Sequence, residues 1–201
     1  MRIAIIDYGA GNLPSVERAL RKLGAETERA VAGDQLASAH AIVLPGVGHF
    51  GAFVDGLSRR NLTPALRAAL DSGKPILGIC LGLQALFASS EEAPGEPGLA
   101  FFPEEVRALP PHVKSPHIGW NQLRRIHTSK LLDGIADNAY FYFAHSYAAP
   151  ASASHTVAAC DHGVPFAAVI ERDNLAAVQF HPEKSGETGA RVLRNFVESV
   201  L

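Results

Sequence analysis

The sequence predicts an α/β fold with a mostly parallel central sheet, helices on both faces and antiparallel strand additions. Three observations carry this expectation. Through the first half of the chain, short apolar runs alternate with stretches of helical periodicity, the pattern of a parallel sheet covered by its crossover helices. The runs are apolar at consecutive positions, as in Pro75-Ile76-Leu77-Gly78-Ile79-Cys80, which is how a strand buried on both faces reads. Beyond residue 98 the runs shorten and are separated by Gly, Pro, Asp and Asn, the punctuation of antiparallel turns.

Taken in order, residues 2–7 read as the first strand and residues 13–23 as the first helix, with Pro14 in the first turn, where its missing N–H costs nothing. Short strands follow near residues 26–30 and at 40–44, and two helical stretches lie between residues 50 and 71. The strand that ends at Cys80 is followed at once by Leu81-Gly82-Leu83-Gln84-Ala85-Leu86-Phe87, an amphipathic helical pattern. Residues 89–98, rich in Glu, Pro and Gly, are expected to form an exposed loop. Residues 141–143, 156–160, 166–170 and 175–180 are expected to add antiparallel strands to the same sheet, and a helix over 187–200 closes a single domain spanning residues 1–201.

Charge and composition exclude several classes of function. A net charge of −2, with the basic residues scattered, offers no footprint for nucleic acid or for an anionic membrane surface. The apolar core of the N-terminus is too short for a signal sequence and no later run approaches a membrane span, so a cytoplasmic location is expected. In a reducing compartment Cys80 and Cys160 are free thiols, and Cys160, inside the apolar run 156–160, reads as packing. The glycosylation sequon Asn61-Leu62-Thr63 is then silent. None of the nine histidines falls in a His-x-His or His-x-x-x-His pair, so no metal is expected; His112, His127, His155 and His162 read as solvated. Gly9-Ala10-Gly11-Asn12 resembles the start of a dinucleotide fingerprint, but Pro14 stands where the third glycine belongs. The glycines read as a tight turn, and no cofactor is expected.

The chemistry concentrates at three strand ends. Gly78-Ile79-Cys80-Leu81-Gly82 has the form of a nucleophile elbow: flanking glycines allow a sharp bend, and the following helix aims its N-terminal amides and positive dipole at the sulfur, favouring thiolate. His181-Pro182-Glu183 follows another apolar run. In an extended segment residues two apart point the same way, so Glu183 can hold one ring nitrogen of His181 while the other faces the thiol. Together these make a Cys80-His181-Glu183 triad for acyl transfer. Pro45-Gly46-Val47-Gly48, directly after a strand, exposes backbone amides at the same sheet edge and is a candidate oxyanion loop.

With these residues in hand, the chain resembles the class I (triad) glutamine amidotransferases, whose elbow is Gly-x-Cys-x-Gly-x-Gln and whose base segment is His-Pro-Glu; Gly78 to Gln84 match throughout. A finer resemblance, to the glutaminase subunits of imidazole glycerol phosphate synthases, covers essentially the whole chain. It rests on Asp7-Tyr8-Gly9-Ala10-Gly11-Asn12, Pro45-Gly46-Val47-Gly48, Pro116-His117-Ile118-Gly119-Trp120-Asn121, Tyr142-Phe143-Ala144-His145-Ser146-Tyr147 and His181-Pro182-Glu183-Lys184-Ser185-Gly186. The resemblance implies hydrolysis of L-glutamine to glutamate and ammonia, with the ammonia passed to a (β/α)₈ cyclase subunit in a heterodimer that makes imidazole glycerol phosphate and aminoimidazole carboxamide ribotide in histidine biosynthesis. By family position, the Val47 and Leu81 amides would form the oxyanion hole. Gly48, Gln84, Ser146 and Tyr147 would bind substrate, and Asn12, Trp120 and Lys184 would meet the partner or the tunnel mouth.

Three rival readings fit these residues less well. The glutaminase subunit of pyridoxal phosphate synthase resembles Gly-Gly-Glu-Ser at the loop where this chain has Pro-Gly-Val-Gly. A stand-alone cysteine hydrolase would need an open cleft and full activity alone. A non-catalytic docking module sits badly with an intact Cys80, His181 and Glu183.

Overall fold

A computed structural model describes residues 1–200. The elements are β1 (Arg2–Ile6), α1 (Leu13–Lys22), β2 (Glu26–Ala30), α2 (Gly33–Ser38), β3 (Ala41–Gly46), α3 (Phe50–Arg59), α4 (Leu62–Asp71), β4 (Ile76–Cys80), α5 (Leu81–Gln84) and β5 (Phe87–Ser90). They continue with β6 (Phe102–Ala108), β7 (His117–Gln122), β8 (Arg124–Arg125), β9 (Tyr140–His145), β10 (Tyr147–Ala148), β11 (Thr156–Asp161), β12 (Pro165–Arg172), β13 (Leu175–Val178) and α6 (Gly186–Glu198).

The main sheet has the order β2-β1-β3-β4-β13-β12-β11-β8. Its first five strands are parallel, among them β13, although residues 175–180 are expected to be antiparallel; β12 and β11 extend the sheet antiparallel as the run spacing predicts, and β8, not expected from the sequence, follows them. Successive side chains leave opposite faces of a strand. Ala4 and Ile6 of β1 therefore join Leu44, Phe53, Leu57 and Leu66 beneath α3 and α4, whereas Ile3 and Ile5 join Val16, Leu20, Val192 and Phe196 of α1 and α6 on the other face. Two apolar cores explain why the central strands are apolar at every position.

Two expectations are corrected. The helix after Cys80 ends at Gln84 rather than reaching Phe87, and Ser89-Ser90 belong to β5 rather than to a loop. The cause is non-local: Leu99 N–H bonds Ala85 O at 2.7 Å, Phe101 N–H bonds Leu86 O at 2.8 Å and Gly98 N–H bonds Ala88 O at 2.9 Å. The returning chain takes the carbonyls that helical turns would need. Gly98 permits the approach, since a Cβ there would lie 2.0 Å from Phe87 O. Second, residues 141–143 do not join the main sheet; β9 pairs with β7 as a separate antiparallel ribbon, while β5, β6 and β10 form a small third sheet. The inner face of the ribbon carries Phe141 and Phe143 onto Phe180 and Phe166. Residues 175–178 (β13) run parallel to β4 and antiparallel to β12.

Register brings the three chemical segments together. Gly46 of β3 lies opposite Cys80 of β4, and Val178 of β13 lies opposite Ile79, so all three segments emerge at the carboxyl ends of adjacent parallel strands.

Candidate active site

Cys80 has φ 55° and ψ −109°, in the left-handed half of backbone space that a side chain rarely enters. The bend is held by close packing. A Cβ on Gly82 would lie 1.8 Å from Leu44 O, so only glycine lets α5 start so close to β3. Leu81 N–H, at the first helical position, has no intrahelical carbonyl available to it. The thiol is buried, with Gln179 Nε2 at 3.6 Å and Ala144 O at 4.0 Å.

Glu183 Oε1 lies 2.9 Å from His181 Nδ1, and both side chains are sealed from solvent. The pair is reached differently from the extended geometry expected: His181 is extended, but Pro182–Lys184 form a 3₁₀ turn that swings Glu183 back onto the ring. The turn is pinned to the ribbon. His181 N–H bonds Tyr142 O at 2.8 Å, Ser185 Oγ donates to His181 O at 2.7 Å, and Tyr142 N–H donates to Ser185 Oγ at 3.0 Å. With Nδ1 on the carboxylate, Nε2 is left for the sulfur. Burial pulls the imidazole pKa down, but Cys80 and Glu183 together more than offset it, and it is raised to about 10. At neutral pH this favours the imidazolium form of His181.

Cys80 borders a cavity of about 230 Å³ whose lining also includes Val47, Gly48, Leu81, Gln84, Ser146 and Tyr147. Gln84 Nε2 donates to Tyr147 O at 2.7 Å and to Gln179 Oε1 at 3.0 Å, so the amide is oriented while its Oε1 has no partner among the described residues. Tyr147 O also meets His145 Nδ1 at 3.0 Å. A carbonyl only accepts, so His145 Nδ1 carries the proton and Nε2 accepts from His117 Nδ1 at 3.1 Å. Burial pushes His145 down to about 3 and His117 to about 4, keeping this histidine pair neutral.

On the opposite wall the arrangement is less open. Val47 N–H donates to Tyr8 Oη at 3.0 Å, and Tyr8 Oη donates to Val47 O at 2.8 Å. One of the two amides expected to form the oxyanion hole is thus engaged, while the Leu81 amide is not.

The residues expected to meet a partner divide. Trp120 is 54% exposed with its ring edge-on to Tyr142, and Lys184 Nζ sits 5.7 Å over the same Tyr142 ring. They form one patch with Ile118 and Tyr140, 62% and 51% exposed. Asn12 lies on the β1–α1 connection, its Oδ1 accepting from Ser15 Oγ at 2.9 Å. Cys160 is buried, and burial pushes its thiol up to about 12, consistent with packing. His162 is half-buried against His117, with ring centroids 4.1 Å apart, rather than solvated as expected. Sequence reasoning missed Gln179, which touches both the nucleophile and Gln84, and Glu92, a carboxylate on the cavity wall held by Phe50 N–H at 2.8 Å. It also missed Tyr8 as a neighbour of Val47. Gln179 directly precedes Phe180-His181, but its closeness to Cys80 follows from the strand register rather than from the sequence.

Comparison with known proteins is consistent with this geometry. Residues 4–200 match the family described as Glutamine amidotransferase class-I. The imidazole glycerol phosphate synthase subunit HisH of Methanothermobacter thermautotrophicus is 52% identical over 198 residues, covering 98% of each chain. The HisH subunit of Moorella thermoacetica is 45% identical, covering 98% of this chain and 95% of its own. A solved structure of PurLQS from Thermotoga maritima superposes with TM-score 0.76 at 18% identity, over 100% of this chain and 99% of that one, a likeness of fold.

Proposed function

The chain belongs to the class I glutamine amidotransferases, and from that premise we infer that it is the glutaminase subunit of an imidazole glycerol phosphate synthase. The observation that carries the inference is the likeness to HisH subunits along the whole chain, in a protein whose nucleophile sits on a strained elbow beside an imidazolium.

In the proposed reaction, Cys80 sulfur attacks the side-chain carbonyl carbon of L-glutamine, and the carbonyl oxygen takes up the negative charge facing the Leu81 and Val47 amides. The intermediate collapses to a γ-glutamyl thioester as the C–N bond breaks, with His181 giving its proton to the departing nitrogen to release ammonia. Water then attacks the thioester. His181 takes a proton from that water, the C–S bond breaks, and glutamate leaves. Glu183 holds Nδ1 throughout, which keeps Nε2 aimed at the reacting atoms. Gln84 Oε1 and the Glu92 carboxylate suit the α-ammonium of the substrate, and Gly48, Ser146 and Tyr147 complete its recess. No step calls for a cofactor or metal.

The ammonia passes to a cyclase subunit, and the docking face is the outer side of the β7–β9 ribbon. Ile118, Trp120 and Tyr140 present apolar surface there, Lys184 lies beside them, and Ile118 also lines the cavity mouth. A large exposed aromatic next to a catalytic mouth is the composition of an interface anchor. Asn12 would add a contact from the β1–α1 connection. Residues 1–201 act as one domain, and among the described residues no helix is long and apolar enough to cross a membrane. The reading carries with it a cytoplasmic location, where both thiols stay reduced. Co-expression with a candidate (β/α)₈ cyclase tests it: a stable 1:1 complex with coupled glutaminase and synthase activities is expected. A chain fully active alone and unable to bind any such partner would overturn it in favour of a stand-alone hydrolase.

A further inference from the structure

Gln179 follows the last residue of β13 and is fully buried, yet the mechanism gives it no part. Register puts it beside the nucleophile: Val178 of β13 lies opposite Ile79 of β4, so the next residues, Gln179 and Cys80, come side by side. A buried amide costs free energy unless its groups are bonded. Here both ends are engaged. Gln179 Oε1 accepts from Gln84 Nε2 at 3.0 Å, and Gln179 Nε2 lies 3.6 Å from Cys80 Sγ. The sense of the amide is set from a distance. Tyr147 O can only accept, so the Gln84 group that meets it at 2.7 Å is the NH₂. The second hydrogen of that NH₂ goes to Gln179, which therefore presents its oxygen there and turns its own N–H groups to the sulfur. Tyr147 O is held in turn by His145 Nδ1–H at 3.0 Å.

We propose that Gln179 is a further catalytic residue, whose side-chain amide donates to the Cys80 sulfur while holding Gln84 in the orientation that leaves the Gln84 carbonyl oxygen for substrate. The proposal rests on the reading that Cys80 is the nucleophile. As a thiol, Cys80 has Ala144 O as its acceptor at 4.0 Å; as a thiolate it has no hydrogen to give and faces the negative end of that carbonyl. A donor is then needed. Gln179 supplies one on a side chain that cannot turn away without breaking its bond to Gln84, and a hydrogen bond to an ionised acceptor is stronger than one between neutral groups. It serves twice: before attack, and again when the thioester C–S bond breaks and sulfur takes back the electron pair. His181 and Tyr8 are the titratable groups that act on the sulfur, and both are kept when Gln179 is replaced.

Gln179→Met keeps an unbranched side chain of similar length and removes both contacts. In the isolated chain, the pH at which iodoacetamide labels Cys80 at half its maximal rate should rise by about one unit, the tenfold worth of one hydrogen bond to an ionised group. In the complex with a (β/α)₈ cyclase, kcat for glutamine should fall about tenfold, and KM should rise as Gln84 loosens. A folded Gln179→Met chain with the wild-type labelling profile overturns the proposal even if its stability or KM has changed, because a packing role would move those alone. The unmodified chain gives a second readout that does not depend on the variant folding. The side-chain amide NMR signals of Gln179 should move over the pH range in which labelling rises, and signals that stay fixed there overturn the contact. A wild-type Cys80 that resists labelling at every pH would instead strike the nucleophile assignment itself, and the proposal with it.

Discussion

The two walls of the glutamine pocket are in different states of readiness. On the Cys80 wall everything needed for attack is assembled: a strained elbow, a charged His181, Glu183 at 2.9 Å, and a free Leu81 amide at a helix start. On the Val47 wall the proposed second oxyanion donor, Val47 N–H, is bonded to Tyr8, on a glycine-flanked segment. The difference teaches where control can be placed. The triad is buried and cross-linked by Tyr142, Ser185 and Gln179, whereas Val47 is followed by Gly48, which has φ +98° and open space around it.

The largest effects are expected on the assembled wall. Cys80→Ala or His181→Ala should each lower glutamine hydrolysis by more than about 10⁴-fold in the complex, since triad members act as a unit, while synthesis driven by added ammonia persists. Residual turnover above background in pure Cys80→Ala would remove the nucleophile from the account. Glu183→Gln leaves an imidazole present but less well oriented, and steady-state kinetics should show a loss about 10²-fold smaller than that of His181→Ala. An unimpaired enzyme would sink the orienter role.

On the gated wall, Val47→Pro should cost about 10²- to 10³-fold in partner-stimulated kcat, the value of one oxyanion donor, whereas Val47→Ala keeps the N–H and should remain activatable. Equal behaviour of the two would erase the contrast between the walls. Trp120→Ala should weaken docking by about 2 kcal/mol in a titration calorimeter without a matching loss of thermal stability. Normal binding with a large drop in unfolding temperature would make Trp120 a core residue despite its exposure.

The smallest effect is on titration. Because His181 is raised from 6.5 to about 10 in the fold, its charge stabilises the native state fully below 6.5, and that contribution fades as pH climbs towards 10. Cys80→Ala removes one of the two groups that raise it. Nitrogen NMR should then show His181 titrating lower, with a shallower loss of stability between those limits. An unchanged titration would mean that the sulfur does not face the ring.

The sequence made much of the assembled wall legible and little of the gated one, for a physical reason. Elbow, base and orienter each sit at the end of an apolar run, and parallel strands bring such ends together, so Cys80 and His181 could be paired despite their separation. Tyr8 and Val47 lie 39 residues apart and meet through one hydroxyl, for which periodicity has no signature. Likewise, α5 stops at Gln84 because residues 98–102 return to claim its carbonyls, and β9 leaves the main sheet because β7 supplies its hydrogen bonds. In both cases a distant partner overrides a locally sound pattern. Gln179 was hidden differently: it reads as one more strand residue, and its closeness to Cys80 appears only once the register is known.

The most direct test treats the isolated chain with a glutamine-analogue electrophile and follows labelling by mass spectrometry beside glutamine turnover. The account expects stoichiometric labelling of Cys80 without any partner, together with turnover that rises about 10²- to 10³-fold when the cyclase subunit and its nucleotide substrate are added. A Cys80 that is labelled only in the complex would contradict it, because the nucleophile wall would then be unassembled until docking.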